Sequence, residues 1–419
     1  MKRQIKNILA ITAMTMMVAG SAQSAFASPI IYNRPPAPST PSAPTTDGKQ
    51  KAESNKKLLS IDEAIKSAVS NNLNLKKNEL TRESLLKEID ENYSRDMSIF
   101  TTREWEEKRL QELQNTNPQA YEQAKKQMEA DFNKAMASSD VVMAKLVSQR
   151  GAIDMARVME REGVNISVNR LFTSIMQKEK DLEILQKKID QDKKNMSLYE
   201  KQQALGKISA TKLEENRIEI TKNENLLKIE KGKLQAYYNE LEKLTQINNI
   251  QTQYTLEKPV IEYRVIEFSE ATQKAQQERA ADYSAQVAST VADTKIKESL
   301  YENYPYVATE SSYNQLQDEK YIAQLEESQA KRNAKFNAQE KYNSLQELQQ
   351  NIILAEKNIA KLENQLKDLQ SKYKLGLISK NTMDNSGFAL LEAKNSLESL
   401  KIQHYQLRIT YENAYFAGQ

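Results

Sequence analysis

The chain has 419 residues, of which 39% are hydrophobic and 28% are charged, with nine glycines and no cysteine. This balance favours thin helical bundles over one thick globular core, and the lack of cysteine excludes disulfides, thiolate metal sites and a cysteine-attached lipid anchor. The 60 basic residues nearly balance the 57 acidic ones, so no net positive charge steers the protein toward nucleic acid.

The first 27 residues have the three parts of a signal peptide: basic residues, an apolar run over Ile8–Val18, and the small-x-small site Ala25-Phe26-Ala27. Eleven residues rise only about 16 Å as a helix, against a hydrocarbon core of roughly 30 Å, so the run is too short for a membrane anchor. We therefore predict export with cleavage after Ala27. No later apolar run approaches eighteen residues, which predicts that the mature chain has no transmembrane helix.

Residues 28–58 are predicted to form a proline-rich linker. Six prolines fall between Pro29 and Pro44 among Ser, Thr and Ala. Because proline fixes φ and removes a hydrogen-bond donor, such a segment favours a stiff, extended and solvated spacer. A proline-motif docking site is the alternative.

Ordered structure is expected from Leu59 onward. Ser60 and Glu63 have the spacing of a capping box, in which each side chain accepts from the backbone amide of the other residue. Apolar residues follow at helical spacing from Ala64 to Leu75, and the helix is predicted to continue towards Ile89 or beyond.

The most informative pattern begins at Val168, where apolar residues recur at alternating spacings of three and four, as in a coiled coil. Lys178 and Asp192 interrupt it. After a short turn, leucine or isoleucine recurs every seven residues from Leu213 to Leu241. The pattern predicts two antiparallel helices of about forty residues, each roughly 60 Å long, in a first repeat over residues 59–250.

The same arrangement returns about 170 residues later, with a heptad from Leu345 to Tyr373 and a second one from Met383 to Tyr411. We therefore predict an internal duplication, with a second repeat over residues 268–419. Residues 251–267 lie between the repeats, and the alternation over Pro259–Phe268 predicts a short strand or an extended crossover there.

The two turns share two residues at corresponding positions. A glycine can end one helix in the left-handed conformation, and a serine can cap the next helix. Each turn joins antiparallel helices, so each forms the tip of a hairpin. The ten tip residues are Leu205, Gly206, Lys207, Ile208, Ser209, Leu375, Gly376, Leu377, Ile378 and Ser379.

No pattern points to catalysis or to a bound group. His404 is the single histidine, and it stands at a heptad position where packing explains it. With no cysteine and few glycines, neither a nucleophile setting nor a phosphate-cradling loop is recognisable. The sequence predicts no enzyme activity, no metal site and no cofactor.

Three segments resemble the TolC-type outer-membrane efflux family, from about Leu59 to Gly418. They are the opening helix over 59–75, the tip segment over 373–384 and the final helix ending over 411–418. The resemblance implies a homotrimer in which twelve helical strands close into a hollow α-barrel. It also implies a periplasmic adaptor and an inner-membrane pump as partners, and drugs or secreted proteins as cargo.

The resemblance also suggests roles for residues of this chain. It implies that the ten tip residues contact the adaptor, although the same residues are expected wherever two helices need a short turn. Some family members narrow the tip with aspartates shortly after the turn glycine. This sequence offers Asp384 there in the second repeat, and Glu214 and Glu215 in the first. Ordinary solvated carboxylates are the alternative.

One departure from the family is expected. Family members insert two strands per repeat into a membrane barrel, and such strands need about nine to eleven residues of alternating polarity. Residues Ser98 to Gly151 are charged and helix-favouring, and Glu310 interrupts the corresponding segment Tyr304–Tyr313. The predicted fold is therefore all-α, with two duplicated antiparallel coiled-coil hairpin repeats and little or no β-barrel.

Two functions remain open on this sequence. The first is a subunit of a trimeric export conduit in the cell envelope, placed in the outer membrane if the cell has one and otherwise in the wall or outside the cell. The second is a structural or adhesive coiled-coil protein of the cell surface. The sequence leaves membrane association and cargo undecided.

Overall fold

A computed structural model describes residues 56–261, 263–264, 266, 270–303 and 310–418 of the chain. The predicted signal peptide, residues 28–55 of the predicted linker and residues 304–309 lie outside the described residues. The elements in chain order are β1 (Lys57–Leu59), α1 (Ile61–Asn71), α2 (Leu73–Thr116), α3 (Pro118–Ala204), α4 (Ala210–Thr245), α5 (Ile250–Gln253), β2 (Tyr254–Leu256), α6 (Glu270–Asn303), α7 (Glu310–Lys374), α8 (Lys380–Glu412) and α9 (Ala414–Ala417).

The N-terminal capping box forms as predicted. The Glu63 amide donates to Ser60 Oγ at 3.1 Å, and the Ser60 amide donates to Glu63 Oε2 at 3.2 Å. The helix that follows is broken at Asn72, whose side chain accepts from the Leu75 amide at 2.9 Å and so starts α2. A second N-cap therefore divides what the periodicity had indicated as one helix.

A two-stranded parallel sheet ties the start of the chain to the crossover. β1 pairs with β2, with Leu58 opposite Thr255, and Leu59 is buried at 2% exposure. The short strand thus lies just before the segment Pro259–Phe268. The described residues of that segment follow no regular secondary structure, and Tyr263 packs edge-on against His404 at 5.2 Å between ring centroids.

Helix α3 contains 87 residues, which corresponds to about 130 Å at 1.5 Å per residue. It is longer than the predicted forty-residue arm because it belongs to two hairpins. At its start, Asn117 accepts from the Ala120 amide at 3.2 Å, and Pro118 occupies the first turn, where a missing amide costs nothing. Residues 98–151 are helical apart from Asn117, in agreement with the predicted all-α fold.

The long helices lie side by side in one layer. In the half that carries the tips at Gly206 and Gly376, the tip half, the order across the layer is α4, α3, α8, α7. In the opposite half, the far half, the order is α2, α3, α6, α7. Helices α3 and α7 run through both halves. Helix α7 therefore forms one edge of the layer, and α4 and α2 together form the other.

The C-terminus is anchored in the same layer. Ala417 is buried with Ala280 and Ala338 of α6 and α7, and Asn337 Nδ2 donates to the Gly418 carbonyl at 3.0 Å. Small side chains let the backbone of the last turn approach both helices closely. None of the described helices is both long enough and apolar enough to cross a bilayer.

Candidate functional site: the two hairpin tips

Both tips end their first helix in the same way. Gly206 and Gly376 have φ values of 66° and 70°, in the left-handed region that glycine adopts without a steric penalty. In the first tip, the Lys207 amide donates to the Gln202 carbonyl at 2.8 Å and the Gly206 amide to the Gln203 carbonyl at 2.9 Å. The second tip makes the two equivalent backbone hydrogen bonds, so each tip is a Schellman motif.

Both tips also start their second helix in the same way. Ser209 Oγ accepts from the Lys212 amide at 3.1 Å, and Ser379 Oγ accepts from the Thr382 amide at 3.2 Å. These caps and the Schellman bonds satisfy backbone groups that a helix end otherwise leaves without a partner. The ten predicted tip residues are thus brought together as two turns of equal backbone geometry.

Apolar side chains project from these turns. Leu205, Leu375 and Leu377 are 70%, 74% and 69% exposed, whereas Ile208 and Ile378 are half-buried. Among the described residues nothing covers these leucines, which makes them candidates for contact with another protein.

The predicted gate carboxylates are not gathered into one cluster. Glu214 lies 3.9 Å from Arg217, and Glu215 lies 3.0 Å from Lys212 on the same helix. Asp384 lies on α8 and is half-buried. Glu214 and Glu215 are thus tied to cations of the first hairpin, and their role as a gate stays a prediction.

The two tips differ in reach. Gln191 of α3 donates to Asn385 of α8 at 3.1 Å, which places these residues at the same level along the layer. From that level α3 continues to Ala204, whereas α8 begins only five residues away, at Lys380. At 1.5 Å per residue the first tip extends on the order of 10 Å beyond the second.

The positive charge at the tip end of the layer was not predicted from the sequence. Five lysines near the tips are exposed and have no ion pair among the described residues: Lys201, Lys207, Lys372, Lys374 and Lys380. Those in the last turns of α3 and α7 also complement the helix dipoles. The lysines were visible in the sequence, but their lack of carboxylate partners could be judged only once the helices had been paired.

The described helices thus form a single layer of long antiparallel helices, with two hairpin tips at one end and two helices, α3 and α7, that run through both halves. The sequence matches no protein-family model and no curated protein. Solved structures match over almost the whole chain at low sequence identity.

Three of these structures have similar scores. A membrane protein from Pseudomonas aeruginosa has a TM-score of 0.59 at 10% identity, covering 91% of this chain and 96% of its own. The Campylobacter jejuni CmeC outer membrane channel has a TM-score of 0.55 at 11% identity, covering 91% and 94%. CusC, described as forming a transmembrane channel, has a TM-score of 0.55 at 13% identity, covering 92% and 98%. At these identities the likeness concerns the fold.

Proposed function

We propose that the chain is a subunit of a trimeric helical export conduit in the cell envelope, and that its tips dock an adaptor and pump. The observation that carries this proposal is the pair of unfinished edges of the helical layer. An edge that exposes apolar side chains along one face of a helix is typical of a surface that packs against another helix.

Helix α4 has two apolar faces. Its inner face, with Leu227, Leu234 and Leu241, is buried. Its outer face carries Ile218 and Ile229, which are 60% and 59% exposed. Both isoleucines lie with Leu226 on the same open face of α4. A helix with two apolar faces is most stable in water when both faces are covered, and the described residues cover only the inner one.

The opposite edge has a matching face. On α7, Leu325, Phe336 and Leu354 are exposed at 48%, 62% and 61%. Their spacings of 11 and 18 residues bring them to one side of a straight helix. In the far half, Leu73 and Leu80 of α2 are also exposed. The two edges are different surfaces, so contact between copies is head-to-tail and closes into a ring when the rotation allows it.

The level of each edge along the layer is fixed by polar contacts between neighbouring helices. Following these contacts from helix to helix places Glu230 of α4 within about one helical turn of Glu363 of α7 along the layer. It places Ile229 within about one and a half turns of Gln365, which is exposed. The contacts that connect the two edges are Lys178 Nζ to Glu230 Oε2 at 2.7 Å, Asn395 Nδ2 to Asp181 Oδ1 at 2.6 Å, and Lys394 Nζ to Glu363 Oε1 at 2.8 Å.

The absence of native cysteine gives a direct test. In a ring, Ile229→Cys of one copy lies near Gln365→Cys of the next, because copies related by rotation share the same level. A short thiol crosslinker applied to the double variant is expected to give dimer and trimer bands and nothing larger. The single variants serve as controls, since each offers only one half of the pair and is expected to give no trimer.

A chain that stays monomeric by mass photometry, in detergent and in buffer, would contradict the proposal. Conductance separates the conduit from the surface coiled-coil protein: trimers added to planar bilayers or liposomes are expected to open pores. Crosslinked trimers that repeatedly fail to conduct would favour the structural role. Docking at the tips is supported by the rigid turns and by the exposed leucines at positions 205, 375 and 377.

A further inference from the structure

The described part of residues 258–266, called the strap here, connects the two repeats across one face of the helical layer. At its start, Lys258 lies within electrostatic range of Glu183 on α3. Farther along, the ring of Tyr263 packs edge-on against His404 of α8, with 5.2 Å between the ring centroids. The strap therefore crosses the seam between α3 and α8, where the two hairpins of one chain meet.

Three contacts of the described residues hold the strap on α8. One is the contact between the Tyr263 and His404 rings. In addition, Arg264 Nη2 donates to Glu412 Oε1 at 2.6 Å, and Ile266 is buried in a cluster that includes residues 342, 345 and 411. The arginine side chain is 66% exposed, and exposed ion pairs contribute little to stability. The ring contact and the buried isoleucine therefore provide most of the anchorage.

His404 is the weak point of this anchor. Its side chain is 1% exposed, and its Nε2 atom has no hydrogen-bond partner among the described residues. Tyr411 lies seven residues farther on the same side of α8, and its buried hydroxyl also has no such partner. A buried polar atom without a hydrogen bond costs free energy. Exposure of His404 to water would recover that cost.

The charges on α8 disfavour a proton on buried His404. Burial is the main cause of its lowered pKa, Arg408 lowers the pKa further, and Glu412 opposes them. Arg408 lies one turn along α8 from the histidine. The Glu412 carboxylate is engaged by Arg264 of the strap. A protonated His404 would thus be a second positive charge on this side of the helix, in a position that water does not reach.

The strap and α7 supply the other charges near His404. Lys401 Nζ lies 5.5 Å from the centroid of the Tyr263 ring and pairs with Glu356 Oε1 of α7 at 2.9 Å. Glu262 and Glu267 belong to the crossover sequence but lie outside the described residues. Among the described groups, each carboxylate near His404 therefore already has a cationic partner.

We propose that the strap is an acid-sensitive latch between the two repeats, which opens when His404 takes up a proton and turns to water. In the closed latch, neutral His404 lies beneath Tyr263. In the open latch, side-chain contacts of the seam itself join the hairpins, such as the hydrogen bond from Gln406 Nε2 to Thr173 Oγ1 at 2.7 Å. The inference goes beyond the proposed conduit and does not depend on it, since every group involved lies in one chain.

The single histidine of the chain allows a direct measurement. In protein purified without a histidine tag and labelled with carbon-13 histidine, one ring signal reports the pKa of His404 alone. We expect a value below 6.5 in the intact chain. In Tyr263→Ala the value should rise toward 6.5, because a strap that the proton weakens must, when weakened itself, let the proton bind more readily. Val260→Ala is the matched control, since Val260 is 80% exposed and should leave the titration unchanged.

Release of the strap is measured separately by electron paramagnetic resonance. The chain has no native cysteine, so a nitroxide on Val260→Cys reports the strap alone. Between about pH 7.5 and about pH 5.5, the mobile fraction of the spectrum should grow. The ratio of open to closed latch should rise by at most about tenfold per pH unit, because one proton is taken up. His404→Gln cannot take up this proton and should remove the response.

Several outcomes would overturn the latch. They are a label whose mobility does not respond to acid, a response that persists in His404→Gln, and a pKa of His404 that stays the same in Tyr263→Ala. The double variant Glu262→Gln and Glu267→Gln adds a further check. If it removes the acid response while His404 is present, these carboxylates set the response and the assignment to His404 is wrong.

Discussion

The left-handed glycines of the tips give the sharpest test of the local structure. Gly206 has a φ of 66°, and a Cβ built on it meets no atom within 4 Å. Gly206→Ala therefore adds no clash and changes only the backbone cost, which is roughly 1–2 kcal/mol for an L-residue in this region. Gly376→Ala should cost the same amount, because its φ of 70° and its open surroundings are the same.

Gly232 is the matched control for this prediction. It lies inside α4, is exposed, and has no neighbour within 4 Å of a built Cβ. The same replacement there should stabilise the helix by about 0.5–1 kcal/mol, since alanine loses less backbone entropy than glycine. Replacing glycine by alanine is thus expected to destabilise the first hairpin at Gly206 and to stabilise it at Gly232.

Hydrogen exchange measured by mass spectrometry is the appropriate assay, because a long layer of helices opens locally rather than all at once. Amides near Gly206 should exchange about fivefold faster or more in Gly206→Ala. Amides around Gly232 should exchange more slowly in Gly232→Ala. If Gly206→Ala protects its tip, or has no effect while Gly232→Ala does, the left-handed turn would be refuted.

Three further predictions concern buried contacts. His404 is 1% exposed, and burial lowers its pKa below the usual 6.5. The unfolded chain therefore binds the proton more readily, so the free energy of unfolding should fall as the pH decreases below about 6.5. In His404→Leu, the melting temperature should depend less on pH. Gly418→Ala would place a Cβ 2.7 Å from Ala334 Cβ, so proteolysis should release the C-terminus faster, with a cost of about 1–3 kcal/mol. Glu230→Gln weakens the partner of Lys178, which is 2.7 Å away, and should cost about 1–2 kcal/mol in denaturant unfolding.

The second and third of these predictions have matched control variants. Gly163→Ala brings a Cβ to 3.3 Å from Phe416 Cζ, so it should release the C-terminus less than Gly418→Ala does. Glu183→Gln removes an exposed ion pair with Lys187 and should cost less than about 1 kcal/mol. An acid response that persists in His404→Leu, or equal costs for the exposed and the half-buried ion pairs, would contradict the reasoning.

Local signals were predictable because their causes are local. The capping box at Ser60 and the two tips depend on a few neighbouring residues whose hydrogen bonds do not require the rest of the fold. The break at Asn72 was missed although asparagine is a good N-cap, because the apolar spacing continues across it. The 87-residue length of α3 was also missed, since the first half of that helix carries no regular heptad.

The interruptions of the heptad have a physical explanation in the fold. Lys178 reaches Glu230 across the interface between α3 and α4, and its hydrogen bond is the main cause of the lowered pKa of Glu230. Asp192 is partly buried beside Asn223, and burial raises its pKa. Polar pairs at such positions disfavour shifted registers, because a shift would bury a charge without its partner. The sequence marks both as interruptions, but their partners come from the other helix.

The duplication explains both what the tips share and where they differ. The turn needs only glycine and serine at fixed places, so both copies keep the same backbone. The residue after the glycine is not constrained by the turn, and it is Lys207 in one copy and Leu377 in the other. The turn also does not fix the length of the two helices it joins, so the two hairpins can differ in length. In the proposed threefold ring, three long and three short tips alternate, with one kind of boundary inside each subunit, between α3 and α8, and another between neighbouring subunits, at α4 and α7. The unequal lengths therefore give the tip end threefold symmetry, whereas two equal tips per subunit would make it nearly sixfold.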